Sequence, residues 1–269
     1  MASMIAWLER GLMGLVNRWL ALFPRRRPSR QVLLECKIIS HRGEHDNRRV
    51  FENTLAAFDA PAEAGCWGLE FDVRWTRDLQ PVVVHDTDAR RVFGSDLVIA
   101  EASLRELRRS IPAIPTLQEV VERFGGRQHL MVELKRDELG ASTERALRLR
   151  DIFAALAPAT DYHFLALQPD LFELVEFAGN TAFLPVAEFN VGEMSRIAVS
   201  RGFGGVCAQY LLLSGKLIER HHRHGQQLGS GFAASRYGLY RELNRGVDWI
   251  FTNDALRLES IRQQALRQH

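Results

Sequence analysis

Little in this sequence offers a covalent staple or a way across a membrane. Its three cysteines, Cys36, Cys66 and Cys207, are odd in number and lack metal-ligand spacing. That argues against a disulfide framework and for a reducing compartment, so a cytoplasmic placement is expected. No apolar run reaches the ~18 residues of a spanning helix, because Glu9, Arg10, Asn17 and Arg18 interrupt the most apolar stretch. A secretory leader is poorly matched, since there is no basic start and no small-residue cleavage site. Internal repeats are absent. A basic body is also absent: of the net +2, residues 1–30 carry +5 from six arginines and one glutamate, leaving −3 for the remainder. No nucleic-acid partner is expected on bulk charge. What is present is 46% hydrophobic and 25% charged residues, enough to bury a core without staples.

The positive charge belongs to an arm, residues 1–34. Ile5, Leu8, Leu12, Leu15, Val16, Trp19 and Leu20 recur at helical spacing, and Ser3, Arg10 and Asn17 form a narrow polar stripe. Prolines and arginines in Phe23–Pro28 then end the helix. Such an amphipathic helix suits a membrane interface, with arginines drawn to anionic lipid. It equally suits packing on protein, because wide apolar stripes serve both ends. Peripheral membrane contact through residues 1–30 is therefore one of two open expectations.

From about residue 36 the pattern changes to short β-rich runs alternating with amphipathic helical stretches. The runs are Lys37–Ser40, Gly68–Val73, Pro81–His85, Leu130–Leu134, His163–Leu167, Ala182–Val186, Gly205–Gln209, Gln227–Ser230 and Asp248–Thr252. Such alternation predicts an α/β fold with a parallel sheet. The gap between Val73 and Pro81 is too short for a crossover helix. Pro81–His85 is therefore expected to be a hairpin-like excursion turning at Thr76–Leu79. Eight strands remain, the number of a closed TIM-type (βα)8 barrel over residues 35–269.

Ionisable residues gather where these runs end, and in such barrels chemistry sits at strand ends. Glu70 and Asp72 are two apart on a strand, so both point to one face. Two adjacent carboxylates repel unless a cation or proton lies between them. With Glu133 they make an oxygen set suited to Mg²⁺ or Ca²⁺. The competing reading is an ion pair in the barrel interior between Lys135 and one carboxylate. His41 and His85 each titrate near neutrality and suit a general base and acid. Arg42 offers a planar fork for phosphate oxygens, and Glu52 is placed to orient it or to sit at a helix start. His221, His222 and His224, beside Arg220 and Arg223, are read as a solvated helix end. His45, His129, His163 and His269 are assigned no role. Asp86, Asp137 and Asp254 stay open between capping and the site.

Several ordered motifs resemble the glycerophosphodiester phosphodiesterases. They are Ile39-Ser40-His41-Arg42-Gly43, Glu52-Asn53-Thr54-Leu55-Ala56-Ala57-Phe58, Gly68-Leu69-Glu70-Phe71-Asp72-Val73 and Val82-Val83-Val84-His85-Asp86. Ile114–Val120, Val132–Lys135 and Gly246–Asp254 continue the match, so the resemblance covers roughly residues 37–254. It implies a TIM-type barrel and metal-dependent cleavage of glycerophosphodiesters to glycerol 3-phosphate and an alcohol. It implies that His41 and His85 are the acid/base pair and that Glu70, Asp72 and Glu133 hold the divalent cation. Arg42 and Lys135 would meet the phosphate, with Glu52 in support. Departures fall at Phe51, Leu79, Gln168-Pro169 and Gly229-Ser230-Gly231-Phe232, where the family shows other residues. Two glycines in place of a bulky aromatic are expected to widen the mouth and admit a lipid chain. Two rivals follow: a lysophospholipase D-like hydrolase of membrane lipids, and a catalytically silent barrel that binds phospholipid headgroups or a protein partner.

Overall fold

The computed structural model describes residues 21–138, 140 and 142–268. The predicted arm helix falls mainly on residues 1–20 and so lies outside the described residues. Within the described residues, nine strands alternate with helices. They are β1 (Lys37–His41), β2 (Gly68–Trp75), β3 (Pro81–Val83), β4 (His129–Leu134), β5 (Tyr162–Ala166), β6 (Phe183–Ala187), β7 (Gly205–Gln209), β8 (Gln227–Gly231) and β9 (Trp249–Thr252). Parallel pairing runs from β2 through β4 to β9 in chain order, β9 pairs with β1, and β1 returns to β2, which closes an eight-stranded barrel. β3 stands outside that circle. It pairs antiparallel with the last residues of β2, Val73 against Val83 and Trp75 against Pro81. The expected excursion is thus present, and Leu79 adopts the left-handed backbone (φ 55°) that its turn requires. It places His85 at the mouth, since the Val84 N–H donates to the Asp72 carbonyl at 2.9 Å.

The period of two along each strand sorts the residues. Leu69, Phe71 and Val73 of β2 and Leu130, Val132 and Leu134 of β4 face the helices and join Phe58, Leu117 and Phe124 in the largest apolar cluster. Their alternates line the barrel interior, where Ile39, Met131, Leu165, Leu184, Cys207, Trp249 and Phe251 form the middle of the core. The same alternation carries His41, Glu70, Asp72 and Glu133 inward near the strand ends. Helix starts are fixed locally: Thr116 and Glu119 make a reciprocal capping box before helix Leu117–Phe124, and Thr54 caps helix Leu55–Glu63.

The opposite end of the barrel is plugged by rings. Trp67 stacks on His129 at 4.2 Å between centroids, and His163 meets Trp249 edge-on at 5.1 Å. His129 Nδ1 donates to the Thr160 carbonyl at 2.9 Å, so its Nε2 accepts from His163 Nδ1 at 2.8 Å. Burial favours the neutral form of both rings. Beneath them the chain enters along helix Arg30–Glu35, capped by Ser29, with Leu33 fully buried. Arg27 donates to the Gln268 carbonyl, and Asn244 donates to the Arg26 carbonyl. This seats the basic linker on the end of the barrel away from His41.

One expectation for the histidine tract is corrected. His221 is not solvated but fully buried, bonded through Nε2 to Ser195 Oγ and through Nδ1 to Gln226 Oε1, both at 2.8 Å. The basic neighbours are exposed; the helix turns this one ring toward β8 and helix Val191–Arg201. His222 pairs with Asp248 at 2.9 Å.

The plug predicts an acid-sensitive fold. Burial lowers His129 from 6.5 to about 4 and His163 from 6.5 to about 3. The unfolded chain therefore takes up these protons first, and stability is lost as pH falls from 6.5 toward that range. The urea midpoint is expected to drop between pH 6.5 and 5, and His163→Phe should flatten that slope. An unchanged slope in the variant would contradict the assignment.

Candidate active site

β1 ends at His41, and the chain then turns sharply: Arg42 (φ 58°) and Gly43 (φ 78°) are both left-handed. A Cβ at Gly43 would lie 2.7 Å from the Ala57 backbone, so only glycine lets this turn press on helix Leu55–Glu63. Asn53, also left-handed, returns its N–H to the Arg42 carbonyl at 2.9 Å. Non-glycine residues in this region cost on the order of 1–3 kcal/mol each and persist where surrounding contacts impose them. Here those contacts are the site itself.

Glu70, Asp72 and Glu133 converge as the alternation predicts. One oxygen of each lies within 4.8 Å of the others. Asp72 is fully buried and held on several sides: Asn53 Nδ2 donates at 2.8 Å, Lys135 Nζ lies at 2.8 Å and Arg42 Nε at 3.1 Å. Burial works to raise its pKa, but Arg42 and Lys135 outweigh it and hold the carboxyl well below the usual range. Glu70 differs. Its Oε2 accepts from the Arg42 backbone N–H at 3.1 Å, while its buried Oε1 has no hydrogen-bond partner. Burial, then the charges of Asp72 and Glu133, push its pKa up. A buried oxygen without a donor, in a cluster where negative charge is under-compensated, fits a hard cation. Lys135 also bridges Asp72 and Glu133, so the predicted ion pair exists beside the carboxylate cluster.

The two histidines are held by different partners. His41 Nδ1 donates to Asn253 Oδ1 at 2.6 Å, leaving the Nε2 lone pair on the Glu70 side, 3.7 Å from Oε2. Burial, and then the Arg42 charge, lower its pKa to about 3. Phe232 packs on its ring at 4.6 Å. His85 is more open. Its Nδ1 donates to the Asp86 carboxylate at 2.7 Å, which leaves Nε2 free of that contact.

Glu52 lies behind Arg42, accepting from its Nη1 at 3.1 Å. Arg91 Nη1 and Nη2 also reach it, at 2.9 and 2.6 Å, and Asn47 donates at 2.7 Å. Burial would raise its pKa, but the Arg91 and Arg42 contacts bring it to about 2. Arg91 was not singled out by sequence reasoning. Asn53, Asn253 and Phe232 lie within quoted motifs but were given no role at the two histidines or the carboxylates.

The expected widening by two glycines is corrected in part. A Cβ at Gly229 would lie 2.6 Å from Cys207 Sγ and from Phe251, so that space is filled by core. Gly231 does leave room, its nearest neighbour being Phe251 Cβ at 3.9 Å. Phe232 meanwhile restores an aromatic over His41. Asp86 resolves to the site, whereas Asp137 pairs with buried Arg145 at 2.8 Å.

Residues 41–161 match the model of the glycerophosphoryl diester phosphodiesterase family. A glycerophosphodiester phosphodiesterase of Caldanaerobacter subterraneus subsp. tengcongensis is 34% identical over 114 residues, 38% of this chain and 46% of that protein. The chain thus spans about half the length of the curated relatives it matches. Solved structures extend the likeness to the whole barrel. The glycerophosphodiester phosphodiesterase of Thermotoga maritima superposes with a TM-score of 0.71 at 23% identity, covering 84% of this chain and 98% of that one. An Oleispira antarctica phosphodiesterase, in complex with the product sn-glycerol-3-phosphate, gives 0.71 at 20% identity over 84% and 96%. At that identity they establish the TIM-type fold. The matched segment contains both histidines, Arg42, Glu52, all three clustered carboxylates and Lys135. Over residues 41–161 this chain is similar to the glycerophosphoryl diester phosphodiesterase family.

Proposed function

We propose that this protein hydrolyses glycerophosphodiesters to glycerol 3-phosphate and an alcohol at the mouth of its barrel. The observation that carries the reading is the pairing of two differently held histidines with an oxygen-only carboxylate cluster inside a segment of this family. Glu70, Asp72 and Glu133 would hold a divalent cation, Mg²⁺ or Ca²⁺. When bound, it would neutralise charge on the phosphoryl oxygens. Arg42 would present its guanidinium to the same oxygens, and Lys135 would add positive charge from the floor. The product bound by the Oleispira antarctica relative supports the choice of glycerol phosphate.

The hydrogen bonds suggest which histidine does what. His41 is fixed by a neutral amide with its Nε2 lone pair free to take the proton of the attacking hydroxyl. His85 leans on a carboxylate, which holds its Nδ1 proton and leaves Nε2 to give a proton to the departing alkoxide. The P–O bond to the nucleophile forms as the bond to the alcohol breaks. One proton passes to His41 Nε2 and one leaves His85 Nε2.

A second reading has its own support. Phe189 and Leu211 are 81% and 50% exposed on the loops after β6 and β7, strands paired through Ala187 and Ala208 at their mouth ends. Exposed apolar side chains at the mouth favour a lysophospholipid substrate and peripheral membrane contact, with residues 1–30 assisting. Among the described residues no helix is long and apolar enough to cross a membrane.

Turnover of glycerophosphocholine should fall by roughly 10²–10⁴-fold in His41→Ala and in His85→Ala, the range of a lost acid or base. Circular dichroism should remain unchanged. Near-full activity in either variant would remove that histidine from the mechanism, and tight phospholipid binding without hydrolysis would favour the silent barrel. A panel comparing glycerophosphocholine with lysophosphatidylcholine, for the full chain and for one lacking residues 1–30, separates the two substrate classes. If the lipid reading holds, only the lysolipid rate drops on truncation; equal rates in both proteins would exclude a role for the arm.

A further inference from the structure

One guanidinium touches both halves of this site. Arg91, on the short helix Arg90–Phe93 beyond β3, forks two hydrogen bonds onto Glu52, at 2.6 and 2.9 Å. Its third nitrogen, Nε, donates to Asp86 Oδ2 at 2.6 Å. The other Asp86 oxygen holds His85 Nδ1 at 2.7 Å, and the Glu52 oxygen it shares holds Arg42 Nη1 at 3.1 Å. The contacts thus run without a break from His85 through Asp86, Arg91 and Glu52 to Arg42, and from Arg42 to Asp72. The loops concerned are also joined by Phe51 on Phe93, 5.2 Å between centroids.

From this geometry we infer that Arg91 is a positioning residue that sets the His85 tautomer and the Arg42 fork together. The inference rests on the hydrolase reading only for its kinetic consequence. Asp86 has one oxygen for His85 and one for Arg91, so an anchored carboxylate keeps the Nδ1 proton of His85 in place and leaves Nε2 directed away from it. Without Arg91, Asp86 is free to rotate to solvent, since the pair is partly exposed. Glu52 would keep Asn47 but lose its bidentate partner, and so would restrain Arg42 less. A lysine at this position supplies charge at one point and cannot fork across two carboxylates. A purely structural staple would instead cost stability without touching the tautomer or the leaving group.

Two measurements on the full chain decide it. The first needs no activity: ¹⁵N-imidazole NMR of the metal-free protein at alkaline pH, with His85 assigned by His85→Gln. The neutral ring should be the Nδ1–H tautomer in the wild type and shift toward Nε2–H in Arg91→Gln. An unchanged tautomer overturns the proposal. The second compares leaving groups with Mg²⁺ present. For Arg91→Gln, kcat on glycerophosphocholine should fall roughly 10–100-fold, part of the loss of a general acid. On a p-nitrophenyl phosphodiester, whose leaving group needs no proton, the loss should be several-fold smaller. Arg91→Lys should recover less than half of the lost rate. Equal losses on both substrates overturn the positioning role. A wild type inactive on both diesters overturns the hydrolase reading instead, and the tautomer measurement then still decides the role of Arg91.

Discussion

Burying three carboxylates within a few ångströms of one another is the constraint around which the rest of this site is arranged. Glu70 and Asp72 enter the barrel together because they are two apart on β2, and Glu133 joins them because β4 pairs beside it with Asp72 opposite Glu133. Moving such charges out of water costs several kcal/mol each in real proteins unless partners compensate. Asp72 is offset by Asn53, Lys135 and Arg42. Glu70 is less so, and its partnerless Oε1 marks where positive charge is still wanted. The left-handed turns at Arg42 and Asn53 follow from the same demand. They bring a backbone N–H to Glu70 and an amide to Asp72 in the space between β1 and its helix.

The compensating charges then give the site its asymmetry. Burial, and then Arg42 on the carboxylates, lower the pKa of His41, whose second nitrogen is fixed by the neutral Asn253. His85 arrives from outside the barrel circle on an antiparallel excursion and brings its own carboxylate. The proposed roles, proton acceptance at His41 and donation at His85, rest on what each ring leans on. Arg91 links the two sides because it is long enough to span the loop after β1 and the loop after β3.

Much of this was legible in the sequence for simple geometric reasons. The period of two put Glu70 with Asp72 and Glu133 with Lys135, and the shortness of the Val73–Pro81 gap excluded a crossover helix. Partners fixed by tertiary contact were not legible. Asn253 is 212 residues from His41, and Arg91 lies between the quoted motifs, outside any of them. His221 was misread because its neighbours are basic, whereas burial of one helix face is decided by Ser195 and Gln226 on other elements. Gly229 was misread as open space because the sequence does not reveal that Cys207 and Phe251 converge on it. The predicted arm helix lies outside the described residues, so its role rests on residues 1–30 as sequence.

As proposed, the carboxylate cluster is a cation site on which hydrolysis depends. Glycerophosphocholine turnover by chelator-treated protein, titrated with Mg²⁺ or Ca²⁺ beside calorimetric binding of the same ion, tests it most directly. Activity absent in chelator and restored with the same saturation as binding, with both lost in Glu70→Gln, is the predicted result. Full turnover in chelator, or cation binding that survives Glu70→Gln unchanged, would contradict it.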